Sequence, residues 1–254
     1  MVPRDKLWCR MEELEIPLHY RVVVHRPYEE VKVKIRTSTD ISESFRSDIG
    51  VNQGCPLSPT YFGLYIDKLD DWLNLQGGDG VRLGEFVIKL LLYANDLVLV
   101  AKSAHGLQIH LYALEHFCKA VGMQVNTSKT KIMIFSNKRK QSQHTFFFEG
   151  NILEEVNEYK YLGIDFINKL NWEDCRKKII LGGWKALYAL QNRREAELWD
   201  WNTIKVLFGL LVCPVILYEC ELWASSISVS KWKKIEKIEK FLIMEVQNKN
   251  FGSI

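Results

Sequence analysis

The 254-residue sequence has no C-x-x-C pair, no internal repeat, no low-complexity tract and no marked excess of either charge. Its six cysteines, Cys9, Cys55, Cys118, Cys175, Cys213 and Cys220, are scattered. That scatter argues against a zinc ribbon and reads as reduced, buried thiols of an intracellular protein, in cytoplasm or nucleus. The longest apolar run, Val206 to Tyr218, is interrupted by Pro214. It falls short of the roughly 18 apolar residues of a membrane span, so no membrane is expected. Charges occur within the first six residues, so no signal peptide is visible there. With 34 basic and 31 acidic residues the net charge is +3, which permits a nucleic-acid partner without demanding one.

Apolar residues make up 47% of the chain, enough for a substantial core. Pro3 followed by Leu7, Met11 and Leu14 predicts a helix with one apolar face. "VKVKIR" (Val31 to Arg36) alternates apolar and basic, predicting a half-exposed strand with a cationic outer face. An apolar-rich helix is predicted over Tyr61 to Leu75, and "QGGDG" (Gln76 to Gly80) is a turn. Leu107, Leu111, Leu114, Cys118 and Val121 mark a further helix that Gly122 ends. "KTKIMIF" and "YKYLGIDF" read as strands, and from Trp172 onward the pattern is helical, with breaks at Gly182-Gly183 and Pro214. The organisation is α+β to about residue 168 and all-α after it.

Two stretches carry candidate chemistry. In "LLYANDLVLV" (Leu91 to Val100), two apolar runs flank Asn95-Asp96, the predicted centre of a tight turn. A carboxylate held at a hairpin tip suits a hard cation with oxygen ligands. Taken alone, the same residues are also good turn formers. In "GVNQGCPLSPTYFGLYIDKL" (Gly50 to Leu69), Gly50 and Gly54 permit close backbone approach, Gln53 offers donors and an acceptor, and Pro59 suits a helix start.

In this order the two stretches resemble the reverse transcriptases of non-LTR (LINE-type) retrotransposons. There "G-V-x-Q-G-C-P-L-S-P-x-x-F" forms the loop and helix that hold template and incoming nucleotide, and "Y-A-D-D" is the metal-binding hairpin of the palm. The likeness continues through "AKSAHGLQIHLYALEHFCKAVGMQVNTSKTKIMIF" (Ala101 to Phe135) and "YKYLGIDF" (Tyr159 to Phe166), which resembles the primer grip. "VPRDKLW" (Val2 to Trp8) resembles the segment after the family's first catalytic aspartate, and "ILYECELWA" extends the likeness weakly into the rest. The resemblance implies a partial right-hand polymerase palm over residues 1–168, an antiparallel sheet with helices, and a helical thumb-like or connection region over 169–254. It implies absent fingers and a chain truncated at its N-terminus, with an upstream fragment or partner chain supplying the missing palm and fingers. It also implies Mg²⁺ or Mn²⁺ as cofactor, and RNA template and DNA primer as partners.

Carried over residue by residue, Gln53, Gly54, Pro56, Phe62 and Tyr93 fall at nucleotide- or template-binding positions, and Lys129 at that of a lysine near the nucleotide phosphates. Phe62 as a core aromatic, Tyr93 as a strand aromatic and Lys129 as a surface lysine are the alternatives. Asp96 is the remaining catalytic and metal-binding carboxylate. Asn95 stands where the family has its principal aspartate, and the first palm aspartate has no counterpart. Two-metal phosphoryl transfer relies on such carboxylates for several kcal/mol, and each ~1.4 kcal/mol is a factor of ten in rate. The expectation is a reverse-transcriptase-like domain without polymerase activity. The alternatives are a non-catalytic nucleic-acid-binding remnant and a degenerate transposon-derived frame with no selected role. Asp5, Asp67, Asp70 and Asp71 read as helix-surface acids, "NKRKQSQH" (Asn137 to His144) as a basic loop or solvated turn, and "KWKKIEKIEK" (Lys231 to Lys240) as internally paired charges.

Overall fold

A computed structural model describes residues 2–52, 54–136, 144–169, 172–193 and 199–251. They group into two units: 2–132 with 144–154, and 133–136 with 155–251.

The first unit is built on helices α1 (Arg4–Glu13), α2 (Leu18–His25), α3 (Ser58–Ile66), α4 (Leu69–Leu75) and α5 (Ala104–Val121). Asp5 lies in the first turn of α1 as predicted, where it favours the helix dipole, and Leu7 and Met11 are buried. The single helix predicted over Tyr61 to Leu75 is two, because a turn at Asp67-Lys68 re-aims the chain. That turn is held from outside: the Arg10 guanidinium donates to Asp67 Oδ2 at 2.9 Å and to the Leu64 carbonyl at 3.4 Å. Helix α5 begins with the Ser103 hydroxyl accepting from Gly106 N and ends at Gly122 with φ +75°, which glycine adopts without strain.

The strands pair in short antiparallel hairpins: Lys32–Val33 with Phe45–Arg46, Val81–Leu83 with Phe86–Ile88, Leu90–Tyr93 with Asp96–Leu99, and Phe147–Phe148 with Asn151–Ile152. The strands predicted in "VKVKIR" and "KTKIMIF" shrink to Lys32–Val33 and Lys131–Ile132.

The loop Gly78-Asp79-Gly80 locks onto α5. Asp79 Oδ1 accepts from Lys102 N at 3.0 Å and Ser103 N at 3.4 Å, holding its carboxyl below the usual range chiefly through the Ser103 contact. Beside it His110 is fully buried, and among the described residues neither ring nitrogen has a hydrogen-bond partner of good geometry. Burial lowers its pKa from 6.5, against the opposing pull of Asp79 and the Gly78 backbone; Lys89 lowers it further. The unfolded chain therefore takes up the imidazole proton first as pH falls. Stability of this unit is expected to be full above pH 6.5 and to decline as pH drops below it, which urea titrations across pH would measure. In His110→Leu that decline should flatten; an unchanged pH profile would refute the assignment.

The second unit holds the hairpin Glu158–Tyr161 with Ile164–Ile167, then helices α6 (Glu173–Gln191), α7 (Trp201–Leu211), α8 (Cys213–Ile216), α9 (Cys220–Trp223) and α10 (Val229–Phe251). Gly182-Gly183 does not break α6, contrary to expectation. Gly183 is buried, and a Cβ there would lie 2.7 Å from Ile216 Cγ1 and 3.0 Å from Ile238 Cδ1, so the glycine serves close helix packing. Pro214 does mark a break, standing in the first turn of α8. Leu187, Leu190, Phe208, Val212, Ile216, Trp223, Ile235, Ile238 and Leu242 form the core.

No described helix is long and apolar enough to cross a membrane. The six cysteines are free, but only Cys118 and Cys175 are fully buried; Cys9 is exposed.

Candidate nucleic-acid site

The register of the Leu90–Leu99 hairpin sets Tyr93 opposite Asp96. The turn residues are thus Ala94 and Asn95, one position earlier than the sequence predicts, and Asp96 opens the returning strand. Ala94 takes φ +51°, where hairpin twist usually calls for glycine. A Cβ in that region costs roughly 1–2 kcal/mol. The outer half of the hairpin is exposed, Tyr93 at 63%, while Leu90 and Leu97 to Val100 at its base are half-buried. The side chains of Tyr93, Asn95 and Asp96 make no hydrogen bond or ion pair with the described residues.

The Gly50–Leu57 loop is anchored from two sides. Arg4, missed as a site residue by sequence reasoning, is 8% exposed and lies over the Tyr28 ring at 5.0 Å. It donates from Nε to the Gly50 carbonyl at 2.8 Å and from its terminal nitrogen to the Ser47 carbonyl at 2.6 Å. Gly50 N returns a bond to the Val2 carbonyl at 2.8 Å. Further along, Asn52 N donates to Tyr28 Oη at 3.2 Å, and the Ser58 hydroxyl to the Asn52 carbonyl at 2.7 Å. Gly50 and Gly54 adopt φ of +84° and +83°, yet no atom lies within 4 Å of a Cβ built at either. The glycines there satisfy backbone conformation while leaving open space. Gln53 lies outside the described residues.

Pro56 is exposed at the loop's end, and Phe62 is half-buried on α3 while its neighbour Tyr61 is buried. Burial raises the Tyr61 pKa, with smaller contributions from Tyr28 and Cys55. Lys129 is exposed on the turn after α5, where its backbone N donates to the Asn126 carbonyl at 3.1 Å. The structure thus sets Tyr93 across from Asp96, and places Gly54, Pro56 and Phe62 along one loop and helix. Among the described residues, no side-chain hydrogen bond or ion pair joins the hairpin tip to that loop.

A two-metal centre needs several oxygen anions around each cation. Among the described residues no group of three or more His, Cys, Asp or Glu is placed to share an ion. The donor set at the hairpin, one carboxylate beside an amide, does not fit such a centre.

In the second unit, the turn of the Glu158–Ile167 hairpin uses Leu162 at φ +48° and Gly163 at +88°. Tyr218 of "ILYECELWA" donates its hydroxyl to the Leu162 carbonyl at 2.5 Å. Lys178 on α6 meets Asp165 at 2.8 Å and Glu158 at 3.4 Å.

Comparison with known proteins agrees with these motifs. The family model described as reverse transcriptase (RNA-dependent DNA polymerase) matches residues 1–166. The chain is 34% identical over 133 residues to the Pol polyprotein of the type-2 retrotransposable element R2DM of Drosophila melanogaster, covering 49% of this chain and 12% of that protein. It is 30% identical over 159 residues to the Pol polyprotein of the type-1 element R2 of Nasonia vitripennis, covering 59% and 15%. A probable RNA-directed DNA polymerase from the X-element of Drosophila melanogaster is 23% identical over 250 residues, covering 92% and 26%. The chain spans about a quarter or less of the length of these relatives. It belongs to the reverse transcriptase (RNA-dependent DNA polymerase) family, among those of non-LTR retrotransposons.

Proposed function

We propose that this chain is a palm segment (residues 1–168) with a following thumb-like helical region (169–254) that retains a grip on nucleic acid but does not polymerise. The observation that carries the reading is Asn95. It occupies the hairpin turn beside Asp96, the site's one carboxylate, and no third ligand stands with them among the described residues. An amide oxygen brings no charge to neutralise a cation, whereas positioning and charge stabilisation are nearly all that an enzyme contributes to phosphoryl transfer. The first palm aspartate and the fingers would come from an upstream segment or a partner chain.

RNA template and DNA primer are the partners this reading assigns. Gly54, Pro56, Phe62 and Tyr93 face them, with Gln53 on the same loop, while Lys129 has the weaker claim to a phosphate. Primer extension on poly(rA)/oligo(dT) by the purified chain, in Mg²⁺ and then Mn²⁺, is expected to give no product above that of Asp96→Ala. Extension that disappears in Asp96→Ala would overturn the inactive reading.

A second reading, a degenerate frame, is favoured by one observation. Leu83, Phe86, Val87, Leu91, Leu92 and Tyr93, on two successive hairpins, are each exposed. Apolar side chains exposed in that number favour association or aggregation unless they are covered.

A further inference from the structure

We propose that the Lys32–Arg46 hairpin is a docking surface for the phosphate backbone of a single RNA strand, laid along its cationic face; this rests on the nucleic-acid reading above. In an extended chain alternate residues share a face, so Lys32, Lys34 and Arg36 project together. The register sets Arg46 directly opposite Lys32, on that same face. Like charges in directly opposed positions destabilise a two-stranded ladder unless an anion lies across them.

The neighbouring acids do not neutralise this face. Glu30 reaches Lys32 at 3.3 Å and Asp48 reaches Arg46 at 2.6 Å, and in both pairs the side chains are about two-thirds exposed. Exposed pairs of that kind contribute little and exchange readily for another anion. Asp40 belongs to the distal turn, where it accepts from Ile41 N, and Glu43 lies where the returning strand slips by one residue, Arg36 bridging to Ile41 and Ser42 N bonding the Ile35 carbonyl at 2.9 Å; Glu43 forms no ion pair among the described residues. Lys34 and Arg36 are exposed and make no ion pair among the described residues.

The hairpin's position adds a second argument. Its base is fixed, because Arg4 holds the Ser47 carbonyl and Ser47 N bonds the Val31 carbonyl at 2.9 Å. Within four residues of Arg46 the chain enters the Gly50–Leu57 loop, which the family resemblance gives to template and nucleotide. A strand lying on the cationic face is therefore delivered to that loop. The opposite face carries the exposed apolar side chains Val33, Ile35 and Phe45, so the cationic side is the one suited to a phosphate backbone.

The test is fluorescence anisotropy with a labelled 30-nucleotide mixed-sequence RNA and the full chain, across 50 to 200 mM NaCl in metal-free buffer. The variant K32Q/K34Q/R36Q/R46Q is compared with K185Q/K233Q/K234Q/K237Q, which removes the same charge from exposed positions on α6 and α10. The hairpin variant is expected to bind about tenfold or more weakly at 100 mM NaCl, its log–log salt slope shallower by about 0.7 per lost contact. The control should keep most of the affinity. If the two variants lose affinity equally, or only the control does, the hairpin proposal fails while nucleic-acid binding stands. If the parent chain does not bind RNA at all, the functional reading itself fails. Circular dichroism confirms that both variants are folded, and K34E/R36E should weaken binding further than K34Q/R36Q.

Discussion

Trp223→Ala is expected to cost the second unit about 4 kcal/mol, the middle of the range for removing a buried aromatic. Trp223 is fully buried, and among the described residues it is the largest side chain so enclosed. Its indole N–H donates to the Tyr218 carbonyl at 3.0 Å, and its ring tilts against Trp232 with centroids 6.2 Å apart. Alanine would leave a cavity among Phe208, Val212, Ile216 and Ile238 and strip the Tyr218 carbonyl of its donor. Because Tyr218 also holds the turn at Leu162, the loss should propagate to the Glu158–Ile167 hairpin. Urea unfolding followed by far-ultraviolet circular dichroism measures the total, and hydrogen exchange resolves the hairpin. Trp223→Phe keeps most of the volume and should cost about 2 kcal/mol, chiefly the orphaned carbonyl. A loss under about 1 kcal/mol for alanine would mean that Trp223 is not packed in this core.

The second large effect is expected in the first unit. A Cβ at Gly78 would stand 2.4 Å from both Cδ2 and Nε2 of His110, and 3.1 Å from the Gly106 carbonyl. Gly78 does not have a positive φ, so alanine there is opposed by space alone. The space cannot be made cheaply, because His110 is fully enclosed and its neighbour is backbone. Gly78→Ala should therefore cost about 3 kcal/mol, the upper part of the overpacking range. Gly63, inside α3, has nothing within 4 Å of its Cβ position. Gly63→Ala should stabilise by up to about 1 kcal/mol, since alanine loses less backbone entropy in a helix. Opposite signs from the same substitution separate packing from propensity; Gly78→Ala as stable as the parent would refute the packed loop.

Long amphipathic segments were legible because their signal is repeated every turn. Helix α5 runs from its Ser103 cap to Gly122, as its apolar spacing and terminal glycine require. The motif loop and hairpin were legible from ordered short motifs, and Asn95 from a single departure within one of them. In "KWKKIEKIEK", the Lys240–Glu236 pair forms within α10 at 3.4 Å, but Lys231 reaches across to Glu173 on α6, with Arg176 as a second partner. Those two cations bring the Glu173 pKa down to about 2. Spacing within one helix contains no information about such a partner.

The residues by themselves determined the family, helices α1 and α5, the hairpin around Asn95, and the substitution that removes a carboxylate from the hairpin tip. These follow from local identity and periodicity. Only the tertiary structure decided that Ala94, not Asp96, shares the turn with Asn95, since register depends on how two strands pair. It alone assigned Gly183 to packing instead of breaking, set His110 in the core beside Gly78, and made Arg4 the anchor of the Gly50 loop. Each of these is fixed by what lies across from a residue, and the far side of a contact is not written in the neighbouring sequence.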